Sequence, residues 1–218
     1  MNTRDDLETT LYVVRHGETE FNRNHMVQGR GIDAPLNEKG VSQAKALARF
    51  KDLVVDVAYS STLLRAKQTA RILLERKENI PLGYLRDLEE MSWGIYEGMS
   101  QSEELKSAFR EMKNAWTQGD YGFRIEQGET LLEVQKRGVN ALNYIVNRHA
   151  GQKILLVSHG RFIRVLLASI LEGYDLSRMN ELRQDNTAFN HIVFNNGRYR
   201  AENLQCVLHL SDHSEALN

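Results

Sequence analysis

Apolar residues recur along this chain in two alternating rhythms. Leu11–Val14 is a short continuous run, which predicts a buried strand. After it, Asn37 precedes EKGVSQAKALARF, where Val41, Ala44, Leu47 and Ala48 share one helical face and Asn37 stands as the N-cap. Leu53 to Tyr59 predicts a second strand, ending in Ser60-Ser61-Thr62, and the helix-like LLRAKQTARILLERK follows. Lys153 to Ser158, KILLVS, predicts a third, closed by His159-Gly160 and followed by the helical RFIRVLLASIL. Three strand–loop–helix units predict an α/β fold with a largely parallel sheet. Near the C-terminus the rhythm changes. AFNHIVF and RYRAENLQCVLHL read as strands, with Asn195-Asn196-Gly197 as a hairpin turn, hence an antiparallel pair at one sheet edge.

Between Glu97 and Glu129 the chain is more polar. Ser102 caps an expected helix in which Leu105, Phe109, Met112 and Trp116 form a core-packing stripe. A loop, TQGDYGFRIEQG, follows. Thr130 to Glu133 matches a capping box opening LLEVQKRGVNALNYIVNRH. Residues 97–129 therefore read as an insertion, and residues 1–218 as one domain carrying it. The tail SDHSEALN is expected to be loosely ordered.

Composition narrows the function classes. Hydrophobic residues make up 41% and charged residues 26%, enough for a sizeable core. The net charge of -1 argues against a nucleic-acid partner and against a polybasic membrane anchor. One cysteine, Cys206, excludes an intrachain disulfide, suits a reducing compartment and reads as a buried small hydrophobe. MNTRDDLETT lacks the pattern of a signal or transit peptide, and no apolar run reaches membrane-spanning length. A cytoplasmic, soluble protein is expected.

In parallel α/β sheets, ligands bind beyond the carboxyl ends of the strands. Here those ends deliver Arg15, His16 and Gly17; then Ser60 and Ser61, with Arg65 one turn on; then His159 and Gly160. Arginines beside two histidines would repel a cation, and no HxH or HExxH spacing supplies ligands, so no metal is expected. Guanidinium forks instead match phosphate oxygens, and glycines admit backbone N–H groups to the same oxygens. A neutral imidazole can attack phosphorus if its other nitrogen is held by a backbone carbonyl. Arginines would stabilise the phosphoryl group in flight, and a carboxylic acid could protonate the leaving alkoxide.

RHGETEFN resembles the signature of the histidine phosphatase superfamily, also called phosphoglycerate mutase-like. The resemblance continues in QGRGIDAPLNEKGVSQA, YSSTLLRAKQTA, LEEMSWGIYEG, GET and LLVSHG, in family order from about residue 11 to residue 190. It implies a three-layer α/β/α sandwich with the insertion over the active site. It also implies that His16 is a nucleophile forming phosphohistidine, and that Arg15, Arg65 and His159 hold the phosphoryl oxygens with Asn22 on the same loop. Glu90, four residues before Gly94, takes the proton donor's position, with Glu89 adjacent as the alternative. Gln28 and Gly29 would line the pocket near the leaving group, Trp93 would form a wall, and Gly160 would join the phosphate contacts. Asn186-Thr187 would lie near the pocket or serve as a turn, and Glu129 would contact substrate or favour a helix N-terminus. No cofactor is implied, the substrate class is a small-molecule phosphomonoester, and the family's frequent dimers allow a homodimer.

Three readings follow: a phosphomonoester hydrolase, a phosphoglycerate mutase, or an inactive scaffold. The mutase branch uses a lysine after the glutamate motif and an Arg-Arg pair in a proline-containing loop. Here Gln101 follows YEGMS, no Arg-Arg pair occurs in residues 97–129, and the only prolines are Pro35 and Pro81. Arg110, Lys113 and Arg124 are scattered. Trp93, Tyr96, Trp116, Tyr121 and Phe123 are expected to favour a substrate with an apolar or aromatic part. The scaffold ranks last, because His16, Arg65 and His159 are all present. The hydrolase of the broad-specificity phosphatase branch ranks first.

Overall fold

A computed structural model describes residues 7–50 and 53–211. Its sheet has six strands: β1 (Thr9–Arg15), β2 (Val57–Ser61), β3 (Leu82–Leu85), β4 (Lys153–Ser158), β5 (Phe189–Asn195) and β6 (Arg198–Cys206), in the order β3-β2-β4-β1-β5-β6. β3, β2, β4 and β1 run parallel, while β5 and β6 add an antiparallel edge. The helices are α1 (Glu20–Arg23), α2 (Glu38–Ala48), α3 (Leu64–Leu74), α4 (Glu103–Thr117), α5 (Leu131–Arg148) and α6 (Gly160–Ile170).

Side chains alternate across the pleat of a strand, and that alternation builds the two cores. Leu11, Val13, Ile154 and Leu156 face one way, into a cluster with Ile145 of α5 and Ile163 of α6. Tyr12, Val14, Leu155 and Val157 face the other way, onto Leu47 of α2 and Ala66, Ala70 and Leu73 of α3. Both faces of the central strands are thus covered, which is why they read as unbroken apolar runs. The result is the expected three-layer α/β/α sandwich with a mostly parallel sheet.

Local signals hold where they rest on hydrogen-bond chemistry. Asn37 Oδ1 accepts the Gly40 amide at 2.8 Å, Ser102 Oγ accepts the Leu105 amide at 3.1 Å, and Thr130 with Glu133 forms the capping box. Asn196 and Gly197 both adopt positive φ, 51° and 77°, as a two-residue hairpin turn requires. Leu105, Met112 and Trp116 are buried in the core, and Phe109 packs on Trp93 and Tyr96.

Several boundaries differ. The second strand begins at Val57, not Leu53: β4 starts at Lys153, whose carbonyl takes the Asp56 amide at 2.8 Å, and the first residue pair between the two strands is Val57 with Ile154. The helix read through Lys77 stops at Leu74. β6 stops at Cys206, and Leu208–Leu210 turns into a short 3-10 helix. Cys206 is half-buried rather than buried. The strand β3 and the one-turn α1 carry no periodic signal and were not expected. The acidic N-terminal segment through Asp6 and the tail beyond Ser211 lie outside the described residues. Among the described residues no helix is long and apolar enough to cross a membrane.

Candidate active site

Parallel register brings the strand ends together. Arg15 pairs with Ser158 across β1 and β4, and the His16 amide donates to the Ser158 carbonyl at 2.9 Å. His16 and His159 therefore emerge side by side, with ring centroids 5.1 Å apart. Both are buried.

His16 Nδ1 lies 2.7 Å from the Gly17 carbonyl. That carbonyl can only accept, so Nδ1 carries the proton and Nε2 keeps its lone pair. Burial, then the neighbouring Arg65 and Arg15, push the His16 pKa well below its ordinary value and hold the imidazole neutral. The loop that carries it is pinned from outside. The Gly17 amide donates to Thr69 Oγ1 at 3.1 Å, and an added Cβ on Gly17 would lie 2.4 Å from the Gly40 carbonyl oxygen. Asn186 Nδ2 donates to the His16 carbonyl at 3.1 Å and to Asn22 Oδ1 at 3.2 Å. Asn22 also accepts the Thr19 amide in a capping box, so its position is set by α1.

Arg65 is fully buried, yet no carboxylate lies within ion-pair distance of it among the described residues. Its Nε donates to His159 Nδ1 at 3.2 Å, Nη1 to the Ile32 carbonyl at 2.6 Å and Nη2 to the Gly29 carbonyl at 3.2 Å. A guanidinium has five N–H groups, so two remain. With Nδ1 accepting, His159 donates Nε2–H to Ser61 Oγ at 2.8 Å, and both its nitrogens are engaged. Burial, then Arg65, keeps His159 neutral as well. Arg15 donates one bond, Nη1 to the Gln184 carbonyl at 2.7 Å, and its buried Nε has no partner. Gly160 makes room for it, since a Cβ there would sit 3.2 Å from Arg15 Nε. Buried donors without acceptors are costly, and an anion bound beside His16 would satisfy them.

The two adjacent glutamates are separated by geometry. Glu89 accepts from Arg30 Nε at 2.6 Å and from the Thr62 hydroxyl. Glu90 caps α6, its oxygens accepting the Arg161 and Phe162 amides at 3.1 and 2.9 Å, and it is the carboxylate whose field reaches Arg15 and Arg65. Arg137 fixes the backbone beneath it, donating to the Glu89 and Glu90 carbonyls at 2.7 and 3.0 Å while pairing with Glu129 at 2.9 Å. Glu129 thus lies in a charge network with Arg137, Arg30 and the Ser92 amide, not in a helical first turn.

Gln28 accepts from the Thr19 hydroxyl at 2.9 Å and leaves a buried Nε2 without a partner. Gly29 gives its carbonyl to Arg65, and its bare α-carbon admits Glu97. Trp93 lies beneath a cation. Trp93 and Trp116 are 7% and 4% exposed, and the Arg161 guanidinium covers both rings at 5.7 and 5.5 Å. Ser61 stood among the residues at the strand ends, whereas Thr69, Arg137, Arg161, Arg164 and Gln184 were not singled out in the sequence as site residues. Only the HGRFIR spacing, with arginines three apart at a helix start, carried a readable signal.

Known proteins resemble this chain in sequence and in fold. The chain is 31% identical over 204 residues to an uncharacterized phosphatase, PhoE, of Bacillus subtilis (strain 168), covering 93% of this chain and 97% of that one. It is 34% identical over 190 residues to a probable phosphoglycerate mutase, GpmB, of Cronobacter sakazakii, covering 84% of each. The solved structure of Bacillus stearothermophilus YhfR superposes with a TM-score of 0.83 at 29% identity, covering 93% of this chain and all of that one. The family profile spans residues 11–207, from the first core residue of β1 past the end of β6, and by it the chain belongs to the histidine phosphatase superfamily, branch 1.

Proposed function

We propose that this phosphatase is a phosphomonoester hydrolase of the histidine acid type, in which His16 Nε2 attacks the phosphorus of the substrate. The observation that carries the reading is the 2.7 Å bond from Nδ1 to the Gly17 carbonyl, in a buried imidazole held neutral. It leaves one nucleophilic lone pair between Arg15 and Arg65. The P–O bond to the leaving alcohol breaks as the N–P bond forms. Arg15, with its unpartnered Nε, and the two free N–H groups of Arg65 take the equatorial oxygens. His159 orients Arg65 and exchanges Ser61 for a phosphoryl oxygen as acceptor. Glu90 protonates the leaving oxygen, then accepts a proton from the water that cleaves phosphohistidine and regenerates His16. Asn22, Gln28, Gly29 and Gly160 shape the walls, and Trp93 acts from behind Arg161.

The mutase reading has one specific support, the likeness to the probable phosphoglycerate mutase. Against it, Gln101 donates to the His25 carbonyl, where the mutase branch places a lysine. The remaining parts of the reading are one domain with an insertion at about 97–129, a cytoplasmic location, no nucleic-acid partner, and an assembly that is monomer or homodimer.

The test is alkaline quenching after mixing with a phosphomonoester, with mass spectrometry of the His16 peptide. Phosphate should appear on that peptide, and His16→Ala should fold and show no turnover. Wild-type turnover by His16→Ala would overturn the nucleophile. With 3-phosphoglycerate, isomerisation outpacing phosphate release would favour the mutase.

A further inference from the structure

Glu90 sits at the root of two more arginines. It accepts the Arg161 amide at 3.1 Å, and its field reaches the side chains of both Arg161 and Arg164. These two lie three residues apart in α6, on one face of its first turns. The Glu90 carboxylate thus holds the start of the helix that carries both arginines, and its field also reaches Arg15 and Arg65.

Neither helix arginine is neutralised. Among the described residues no carboxylate lies within ion-pair distance of Arg161 or Arg164. Arg161 donates Nη1 to Asn180 Oδ1 at 3.1 Å and to Met179 Sδ at 3.9 Å, and it lies over two indole faces. Arg164 has a buried Nε with no partner. Asp185 is in its field, but the contact that Asp185 makes is with Arg183, at 3.3 Å. Desolvated cations without counter-charges are costly to keep. Arg15 and Arg65 are accounted for by the transferred phosphate, whereas Arg161 and Arg164 extend from the acid that meets the leaving oxygen.

We propose that Arg161 and Arg164 form a second anion subsite on the leaving-group side of Glu90, so that the preferred substrate carries an acidic group on its alcohol half. A carboxylate and a second phosphate share this chemistry, since either accepts bidentate guanidinium bonds. The inference rests on the hydrolase reading for its direction, and it replaces the expectation of an apolar or aromatic substrate.

Three matched esters test it: glycerol 3-phosphate, 3-phosphoglycerate and glycerol 1,3-bisphosphate. They share a three-carbon skeleton and differ in a neutral, carboxylate or phosphate terminus. The expected kcat/KM is roughly tenfold or more higher for at least one acidic ester than for glycerol 3-phosphate, the scale of one charge-assisted hydrogen bond. Which acidic ester leads identifies the source. That ratio should fall toward one in Arg161→Gln and in Arg164→Gln, whatever factor all esters lose in common, and Arg161→Lys should retain part of it. Equal kcat/KM values in the wild type, or an unchanged ratio in both glutamine variants, overturn the subsite. Calorimetric binding of the same esters to His16→Ala reads the subsite without turnover. If no ester releases phosphate, the hydrolase reading fails, and the order of affinities decides the subsite alone. Should Arg161→Gln not fold, Arg161→Lys and Arg164→Gln carry the comparison.

Discussion

Replacing Arg137 by methionine keeps an unbranched apolar stem and removes the guanidinium, whose Cζ lies 5.1 Å from the centre of the Phe162 ring. That group holds Glu129 through two bonds of 2.9 and 3.0 Å and also donates to the carbonyls of Asp87, Glu89 and Glu90. The side chains of Arg137 and Glu129 are only 11% and 15% exposed. Removing one partner of a buried pair costs about 3–5 kcal/mol, because the other charge stays desolvated. Arg30 still reaches Glu129 at 3.3 Å but is 29% exposed, so it offsets part of the loss. The lower end, about 3 kcal/mol, is therefore expected, which lowers the Tm of a chain this size by roughly 6–12 °C. Thermal unfolding followed by circular dichroism reads that shift. The double variant Arg137→Met/Glu129→Leu should cost less than the sum of the two single changes, since no orphaned charge remains. The same substitution loosens the backbone that aims Glu90. Alkyl phosphates, which need a protonated leaving group, should lose more kcat than p-nitrophenyl phosphate, which does not. A Tm within about 2 °C of wild type, or equal loss on both ester types, would refute the reasoning.

Two further outcomes follow from packing and titration. Gly40→Ala places a Cβ 2.1 Å from the Glu18 carbonyl oxygen, backbone against backbone at the foot of the His16 loop. Such overpacking costs about 1–3 kcal/mol, and both Tm and kcat should fall; unchanged values in a thermal melt and a phosphate-release assay would show that the loop yields freely. His16, His159 and His209 have folded pKa values below the ordinary 6.5, His209 at about 4, each chiefly through burial. Below pH 6.5 the unfolded chain therefore binds protons that the folded chain refuses, so stability rises with pH across this window and is lost as pH falls from 6.5 toward 4. A Tm that holds constant or climbs as the buffer is taken from pH 7 to pH 5 would contradict the buried neutral imidazoles.

What the amino-acid sequence determined by itself was everything written in local chemistry or in the period of its apolar residues. Asn37, Ser102 and the Thr130–Glu133 box capped their helices because a side-chain oxygen three residues from an orphan amide needs no tertiary partner. The runs at Leu11–Val14 and Lys153–Ser158 were legible as strands because both their faces are covered. Arg15, His16, Arg65 and His159 were legible together because a parallel sheet gathers its strand ends at one edge. Tertiary structure decided the rest. β3 is only four residues long, LGYL, too short for a period to show, and exists because β2 offers it an edge. Glu90 is separated from Glu89 by which way each carboxylate turns, toward the amides of α6 or toward Arg30, and no spacing in DLEE encodes that direction. Trp93 read as a pocket wall and Trp116 as part of a core-packing stripe, yet both rings lie beneath Arg161. Burial of a large ring depends on what the whole chain packs against it, and that sum over distant contacts exists only once the sheet and its helices have closed.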